Sequence, residues 1–212
     1  RWRIGGSAKS WGRQRGVILP KLADVYGVLL VVGHAVGGTV EVARHVMPRI
    51  KIVRQTRRGK GNALACGFEV ATGDIIVMFD ADCSADPAEV PRFVDALTAG
   101  ADFAKGSRFV GNGGSADLTR LRRVGNRFLN ILANAMVRAK YTDLCYGYNA
   151  FWSYVLLDLD LPSTATGALP NSTLIWGDGF EIETVINCRI AAAGLVISEV
   201  PSFEQPRMHG SS

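Results

Sequence analysis

Residues 72–82 read TGDIIVMFDAD, and this stretch decides the fold. The apolar run at residues 75–79 is too short to span a bilayer, but it is typical of a strand covered on both faces. Asp80 and Asp82 follow it directly. Ligands of an open parallel sheet bind beyond the carboxyl ends of its strands. The stretch therefore predicts a buried strand that delivers two carboxylates to a ligand site.

The rest of the chain alternates strand-like with helix-like patterns. Further β-branched runs occupy residues 28–32, 50–53 and 102–105. Apolar residues at helical spacing occur at residues 40–47 and 63–71. Strand-helix-strand repeats imply a parallel sheet with helices on both faces. We therefore predict an α/β fold in a single domain, with a Rossmann-like, mostly parallel sheet flanked by helices.

Capping residues predict where the helices begin. Thr39 is a candidate cap for the first helix, and the tetrapeptides DPAE at residues 86–89 and DGFE at residues 178–181 match the capping box. A long helix is predicted over residues 118–139. It carries apolar residues on one side and, on another, Arg122, Asn126 and Asn130.

Composition excludes several classes of protein. With 212 residues, of which 48% are hydrophobic and 20% charged, the chain is neither disordered nor fibrous, and it fits one domain. Its four cysteines form no C-x-x-C pair, which favours reduced thiols, and the polar residues 1–16 do not resemble a signal peptide. We therefore expect a soluble, cytoplasmic protein.

The chain carries a net charge of +5, and its basic residues cluster at residues 54–60 and 120–127. Such clusters suit phosphate-bearing ligands or anionic lipid head groups. The alternative, a solvated basic surface, stays open from the charge pattern alone. No aromatic residues interleave with the arginines as a stacking platform would require, so the pattern argues against nucleic acid as a partner.

Asp80 and Asp82 form a D-x-D pair at the end of the buried strand. Two carboxylates separated by one residue can face one hard cation, and Mg²⁺ or Mn²⁺ takes one or two carboxylates together with substrate phosphate oxygens. Such a cation neutralises a diphosphate leaving group. The motif is short and common, so the alternative that Asp82 caps a turn stays open.

Further motifs surround this pair at compatible spacing. They are RGKGNAL at 58–64, GSR at 106–108, Asp143 with GYNA at 147–150, GFE at 179–181, and EVP at 199–201 followed by Arg207. From about residue 40 to residue 211 the chain resembles the family 2 glycosyltransferases of the GT-A fold, particularly their polyprenyl-phosphate (dolichol-phosphate) sugar transferase branch. The resemblance implies one catalytic domain, in which residues 1–110 bind the nucleotide sugar and residues 111–212 the acceptor.

The resemblance also implies roles for individual residues. The donor is a nucleoside diphosphate sugar, and Asp80 and Asp82 hold Mg²⁺ or Mn²⁺ on its diphosphate, with Ser84 as a further ligand; Asp82 is thereby catalytic. Lys60 is expected beside the nucleotide. Asn126 stands where the polyprenyl branch can have a serine contact. Further phosphate contacts are expected from Arg108, Arg122 and Arg207.

The expected reaction is hexosyl transfer with inversion, to a polyprenyl phosphate at the inner face of the membrane or to another hydroxyl acceptor. A hydroxyl acceptor needs a general base, for which Asp178 and Glu181 are best placed by motif. A lipid phosphate needs no strong base, because it is already an anion. Glu181 also has a structural alternative, since it occupies the third position of a capping box.

The N-terminal part departs from the family. Members open with a strand ending in proline and Asn-Glu, and an aspartate-rich turn follows their second strand; residues 1–16 and 32–39 lack these features. The alternative is a diverged relative that keeps the fold and binds a partner without turnover. A Rossmann oxidoreductase is disfavoured because no G-x-G-x-x-G follows the first strand. A sugar nucleotidyltransferase is disfavoured because its glycine-rich basic loop is absent.

Overall fold

A computed structural model describes residues 2–5, 26–33, 38–116, 118–165 and 175–206, with the backbone alone at residues 2–5, 26 and 120. Within the turn at residues 32–39, which lacks the aspartates of the family, residues 34–37 lie outside the described residues, and so does Arg207. The described strands are β1 (Trp2–Gly5), β2 (Tyr26–Val32), β3 (Lys51–Arg54), β4 (Ile75–Met78), β5 (Phe103–Ser107), β6 (Gly114–Ser115), β7 (Asn149–Trp152), β8 (Ile197–Pro201) and β9 (Phe203–Glu204). The described α-helices are α1 (Thr39–Val46), α2 (Lys60–Glu69), α3 (Val90–Thr98), α4 (Arg120–Val137), α5 (Leu156–Leu159) and α6 (Ile182–Ala192).

Seven of these strands form one sheet in the order β3-β2-β1-β4-β7-β5-β8. Six of them run parallel, and β7 runs antiparallel to both of its neighbours, β4 and β5. The short strands β6 and β9 pair in parallel as a separate ribbon. The predicted α/β fold with a mostly parallel sheet is confirmed.

The middle strand of the sheet, β4, is covered on both faces. All four of its side chains are buried. Ile75 and Val77 belong to a core that includes Phe93 of α3, whereas Ile76 and Met78 belong to a second core formed with α5 and α6. Successive side chains of a strand point to opposite faces, so this apolar run places a layer of helices on each side of the sheet.

The edge of the sheet at which β4 ends collects segments from distant parts of the chain. Gly5 at the end of β1 lies opposite Met78 at the end of β4. Since β7 runs the other way, its first residue, Asn149, also pairs with Met78. The residues that follow β4 and β5 and those that precede β7 therefore meet at one edge, where a ligand site is expected.

Two strands of this sheet are not predicted from the sequence. β1 lies in the polar segment of residues 1–16, and β7 is four residues long and begins with an asparagine. Both strands are nonetheless paired along two sides, β1 by β2 and β4, and β7 by β4 and β5. Tertiary pairing therefore overrides a weak local signal at both places.

Two helix starts differ from the predictions. α1 begins at Thr39 itself, and Gly38 holds the cap position without a side-chain hydrogen bond, so the cap prediction for Thr39 is wrong. The helix that the capping box at residues 178–181 is predicted to open begins only at Ile182. There the side chain of Asp178 is engaged by an arginine instead of capping the helix.

The predicted capping box at residues 86–89 is only half formed. Oδ1 of Asp86 accepts a hydrogen bond from the backbone nitrogen of Ala88 at 2.9 Å and caps a 3₁₀ turn that precedes α3. The carboxylate of Glu89, in contrast, accepts hydrogen bonds from Ser202 and from the backbone of Phe203. Glu89 thereby fastens the C-terminal segment to α3. Within the described ranges, no helix is both long enough and apolar enough to cross a bilayer.

Candidate active site

Side chains from separate segments line a cleft of about 160 Å³ at the carboxyl end of β4. The polar part of its lining includes Lys60, Asp80, Ser84, Arg108, Glu183 and Glu204. The structure thus brings together four of the residues predicted for the site, namely Lys60, Asp80, Ser84 and Arg108.

Lys60, the first residue of α2, contacts two carboxylates. Its Nζ lies 2.8 Å from Oδ2 of Asp80 and also donates to Oε1 of Glu183. Burial lowers the pKa of Lys60, but the two carboxylates outweigh this effect and raise the pKa above its ordinary value, so the lysine stays charged. Burial and the charge of Asp80 raise the pKa of Glu183. One cation therefore faces two acids.

A glycine opposite the lysine leaves room for this cluster. A Cβ atom at Gly147 would lie 2.3 Å from Oε1 of Glu183 and 3.2 Å from Nζ of Lys60. Since Gly147 directly precedes the buried Tyr148, which leads into β7, the segment before β7 forms one wall of the cleft.

Asp82 closes the turn that follows β4. Its Oδ1 accepts hydrogen bonds from the backbone nitrogen of Ser84 at 3.0 Å and from Oγ of Ser84 at 2.6 Å. Cys83 between them has a φ of 67°, a left-handed conformation that few residues other than glycine adopt. The turn-capping alternative is therefore realised, and it fixes Asp82 and Ser84 beside Asp80, whose side chain is 39% exposed.

Asp178 is engaged in a buried ion pair outside the cleft lining. Arg57 donates from Nε to Oδ2 at 2.7 Å and from Nη2 to Oδ1 at 2.9 Å, and the two side chains are 2% and 1% exposed. The backbone nitrogen of Ile175 also donates to Oδ2. Both carboxylate oxygens are thus used, which leaves Asp178 poorly placed to take a proton from a substrate.

The backbone beside Asp178 positions the loop that carries Lys60. The carbonyl oxygen of Asp178 accepts a hydrogen bond from the nitrogen of Gly61 at 2.7 Å. A Cβ atom at Gly61 would lie 1.8 Å from the carbonyl oxygen of Gly177, and one at Gly59 would lie 2.0 Å from that of Asp178. Glycines therefore flank Lys60 because two backbones touch there.

We expect Gly61→Ala to destabilise the protein by about 2 kcal/mol or more, because neither backbone can move away without loss of hydrogen bonds. Alanine otherwise favours a helix over glycine by about 1 kcal/mol. The matched control is Gly125→Ala in α4, where a Cβ atom would meet nothing within 4 Å, and which should stabilise by about 0.5–1 kcal/mol. Urea unfolding measures both, and equal effects of the two substitutions would contradict the close approach.

Arg108 also joins two carboxylates. It donates to both oxygens of Asp143, at 2.7 and 2.9 Å, and from Nη1 to Oε2 of Glu204 at 2.9 Å. Burial alone would lower the pKa of Arg108, but the two carboxylates outweigh this effect and raise the pKa above its ordinary value. Asn126 of α4 donates to Oδ1 of Asp143 at 3.1 Å, so α4 is tied to this second cluster.

Besides Asp178, three predicted residues lie outside the cleft lining, namely Asp82 in the turn after β4, Glu181 and Arg122. Glu181 is exposed and accepts hydrogen bonds from the backbone nitrogens of Gly177 and Gly179, at 2.9 and 3.1 Å. Backbone N–H groups hold the pKa of Glu181 below its ordinary value, which makes this carboxylate a weak base. Arg122 is exposed in the first turn of α4.

Lys105 of β5 is fully buried. It lies near two clusters, that of Lys60 with Asp80 and Glu183 and that of Arg108 with Asp143 and Glu204. Its Nζ donates to the carbonyl oxygens of Gly106 at 3.0 Å and of Tyr146 at 2.6 Å. Burial lowers the pKa of Lys105 to about 8, and the nearby carboxylates, first Asp143, offset part of this effect.

The buried amine predicts a specific pH dependence of stability. An unfolded lysine titrates near pH ~10.4, so between about pH 8 and that value the unfolded chain binds the extra proton and stability rises with pH. The free energy of unfolding of the wild type, relative to Lys105→Met, should therefore increase by about 2 kcal/mol from about pH 7 to about pH 10. Urea unfolding across this range measures the difference. A difference that does not change with pH would contradict a titrating buried amine.

The described side chains of the two clusters carry an excess of negative charge. Each cluster sets one cation against two carboxylates, Asp82 adds a fifth acid, and the buried Lys105 offsets one of these negative charges. An anionic diphosphate would be repelled here unless a cation accompanied it. In the described ranges no three His, Cys, Asp or Glu side chains converge as a metal cage. Two carboxylates and the Ser84 hydroxyl nevertheless fit Mg²⁺ or Mn²⁺, which take their remaining ligands from phosphate and water.

Glu183 belongs to the site but is not predicted from the sequence. Helical periodicity is the sequence signal that could have identified it. Residue 183 lies on the same side of α6 as Ile186, Asn187 and Ile190, which follow it by three, four and seven residues and are all buried. An acid on the inner stripe of a helix is a candidate for a function. Arg57 and Glu204 have no comparable local signal.

Comparison with known proteins adds the family context. The model of the family described as Glycosyl transferase family 2 matches residues 22–159. The chain is 31% identical over 185 residues to the glycosyltransferase AglJ of Haloferax volcanii, covering 87% of this chain and 55% of that protein. It is 33% identical over 91 residues to a dolichol-phosphate mannosyltransferase of Pyrococcus furiosus, covering 42% and 26%. The chain thus spans about half or less of the length of these relatives.

A solved structure shares the fold. Glucosyl-3-phosphoglycerate synthase from Mycobacterium tuberculosis, in complex with Mn²⁺, uridine diphosphate and phosphoglyceric acid, matches with a TM-score of 0.69 and 17% identity. The match covers 100% of this chain and 71% of that chain. At this identity the likeness shows the fold alone.

Proposed function

The chain belongs to glycosyl transferase family 2 and has the GT-A fold, and from this premise we propose that it is a metal-dependent, inverting hexosyltransferase. It moves a sugar from a nucleoside diphosphate sugar to a polyprenyl phosphate at the inner face of the membrane, or to another hydroxyl acceptor. The observation that carries the proposal is the cluster of Lys60, Asp80 and Glu183 beside the turn of Asp82 and Ser84.

In this proposal Asp80, Asp82 and Ser84 hold Mg²⁺ or Mn²⁺. The cation supplies Lewis-acid stabilisation of the departing nucleoside diphosphate. The excess of carboxylates in the cleft supports this, because a diphosphate needs added positive charge to enter. The structural relative crystallised with Mn²⁺ and uridine diphosphate supports it further.

Lys60 contributes a fixed positive charge beside the diphosphate. Its partners Asp80 and Glu183 hold the ammonium group at the cleft, so little reorganisation is needed when the donor binds. Asp178 acts as a positioning residue, since its backbone carbonyl and its ion pair with Arg57 hold the lysine loop in place. The donor side is assigned to residues 1–110, to which the second half of the chain adds Asp178 and Glu183.

The acceptor side is assigned to residues 111–212 together with Arg108. A polyprenyl phosphate is favoured as the acceptor, with support from the name of the related dolichol-phosphate mannosyltransferase. Contacts to its phosphate are proposed for Arg108 and Arg122, and Arg207 is proposed to reach the donor diphosphate. If the acceptor is a hydroxyl, Glu183 is the better base than Glu181, because burial raises its pKa whereas backbone N–H groups lower that of Glu181.

A donor screen tests the proposal. The chain is incubated with Mn²⁺, a short polyprenyl phosphate and a set of UDP- and GDP-sugars, and the products are identified by mass spectrometry. We expect a glycosylated polyprenyl phosphate and a free nucleoside diphosphate. Release of pyrophosphate would indicate a nucleotidyltransferase instead. If calorimetry detects no binding of UDP or GDP with Mn²⁺, the chain is a diverged binding protein that has kept the fold.

A further inference from the structure

The helix α4 exposes an apolar face to its surroundings. The outer face of α4 consists of seven side chains, of which Leu121 is 83%, Met136 75% and Val124 67% exposed. The complete set is Leu121, Val124, Phe128, Leu129, Ile131, Leu132 and Met136. Contiguous exposed apolar surface of this kind marks an interaction site far more often than isolated apolar residues do.

The side of α4 that packs on the protein is polar. Asn126, Asn130 and Asn134 point inward, and each donates a hydrogen bond to Asp143 or to the backbone of residues 141–142. The first two are 6% and 7% exposed. A helix on a water-facing surface normally shows the opposite arrangement, with its apolar stripe turned inward. The orientation of α4 is therefore fixed by hydrogen bonds, and its apolar residues stay available.

Basic residues border this outer face. Arg122 and Arg127 are exposed, and at about 100° per residue they fall on its two sides. No acidic residue occurs between residues 118 and 142. An apolar face with arginine borders is complementary to a bilayer surface, where the apolar side chains enter the acyl boundary and the arginines meet lipid phosphates.

We propose that the outer face of α4 docks on the surface of a bilayer that contains anionic phospholipid. The charge pattern favours this partner over a second copy of the chain, because two outer faces packed together would bring arginine rows side by side with no acid to compensate them. Docking concerns the location of the chain and holds whether or not the chain transfers a sugar.

Docking would also place the cleft next to the lipid. The inner side of α4 contacts Asp143 through Asn126, and Asp143 binds Arg108 in the cleft lining. Two hydrogen-bonded contacts thus separate the docked helix from the candidate active site. An acceptor carried by the membrane would reach the cleft without leaving the bilayer surface.

Co-sedimentation of the 212-residue chain with vesicles of phosphatidylcholine, with or without phosphatidylglycerol, tests the proposal. The wild type should bind the anionic vesicles. A variant with Leu121→Gln, Val124→Gln, Phe128→Gln and Met136→Gln should bind about tenfold more weakly or worse. Leu157→Gln in α5, where the leucine is 87% exposed, is the matched control and should bind like the wild type.

The arginines make a separate contribution that salt can reveal. Arg122→Gln combined with Arg127→Gln should weaken binding at low salt and reduce its salt dependence, because each arginine near an anionic surface acts through a screened charge. The apolar variant should keep the salt dependence of the binding that remains.

A second measurement does not depend on the stability of the fourfold variant. The chain has four tryptophans, so the wild-type spectrum is subtracted first. The remaining fluorescence of Phe128→Trp should shift to shorter wavelength with anionic vesicles, whereas that of Leu157→Trp should not. The proposal is overturned if the wild type ignores anionic vesicles or if the outer-face variant binds them equally well. It is also overturned if the wild type sediments as a dimer that the outer-face variant converts to a monomer, since the face would then serve a second copy.

Discussion

Asp82→Asn is expected to abolish Mn²⁺-dependent binding of UDP or GDP and to lower kcat/KM for transfer by about a thousandfold, or ~4 kcal/mol. The substitution keeps the size of the side chain and its ability to accept the hydrogen bonds from Ser84. What it removes is a negative charge at the proposed cation site. The same reasoning gives Asp80→Asn a comparable loss, with the added loss of one of the two negative charges that face Lys60.

Calorimetry with and without Mn²⁺ and the transfer assay measure these losses. The matched control is Asp95→Asn in α3, an exposed aspartate away from the cleft, which should bind and react like the wild type. The interpretation requires the loss to depend on the metal. If Asp82→Asn binds the nucleotide as well as the wild type does in Mn²⁺, the pair does not hold a cation.

Arg57→Ala is expected to lower the free energy of unfolding by about 3–5 kcal/mol, because it leaves the carboxylate of Asp178 buried without a compensating charge. Both side chains of the pair are buried, with exposed fractions of 2% for Arg57 and 1% for Asp178. Arg57 also donates to the carbonyl oxygen of Ser163 at 2.7 Å, so the substitution also leaves a backbone acceptor without this donor.

Urea unfolding of Arg57→Ala is compared with that of Arg92→Ala. Arg92 forms an ion pair with Glu89 at 2.6 Å, but its side chain is 49% exposed, so its loss should cost less than about 1 kcal/mol. In surviving protein, Arg57→Ala should raise the KM for the donor more than it lowers kcat, because the loop of Lys60 loses its support. Equal costs of the two substitutions would show that burial of the pair does not matter.

The sequence predicts the centre of the site because the centre is local. Residues 75–82 place an apolar strand next to two carboxylates, and the burial of the strand follows from its composition alone. The sequence also shows that glycines flank Lys60, but the close approach of two backbones that they allow is a finding of the structure. The α/β class follows from the alternation of strand and helix patterns, which needs no knowledge of contacts.

The rest of the site could not be predicted because it depends on contacts between distant residues. Arg57 finds Asp178 across 121 positions of the chain, and no spacing rule marks such a pair. Asp178 and Glu181 match a capping box in sequence, yet the stronger partner for Asp178 is a buried guanidinium. For Glu183 the pattern was present, but the motif directed attention to Glu181 two residues earlier.

The orientation of α4 escapes prediction for a different reason. Periodicity separates an apolar side from a polar side, but it does not say which side faces the protein. The usual assumption would bury the leucines and expose the asparagines. Here three asparagines satisfy backbone groups and one carboxylate around residues 141–144, and these hydrogen bonds decide the orientation.

The reversed strand β7 also governs the order in which the sheet can be completed during synthesis. β4 and β5 follow each other along the chain, but they are not neighbours, because β7 must enter between them. While a ribosome is still adding residues 108–148, both strands present unpaired backbone edges that can join each other or another chain. A nascent chain halted before residue 149 should therefore depend on chaperones more than one halted after residue 152, in which β8 is the strand of the sheet that is still missing.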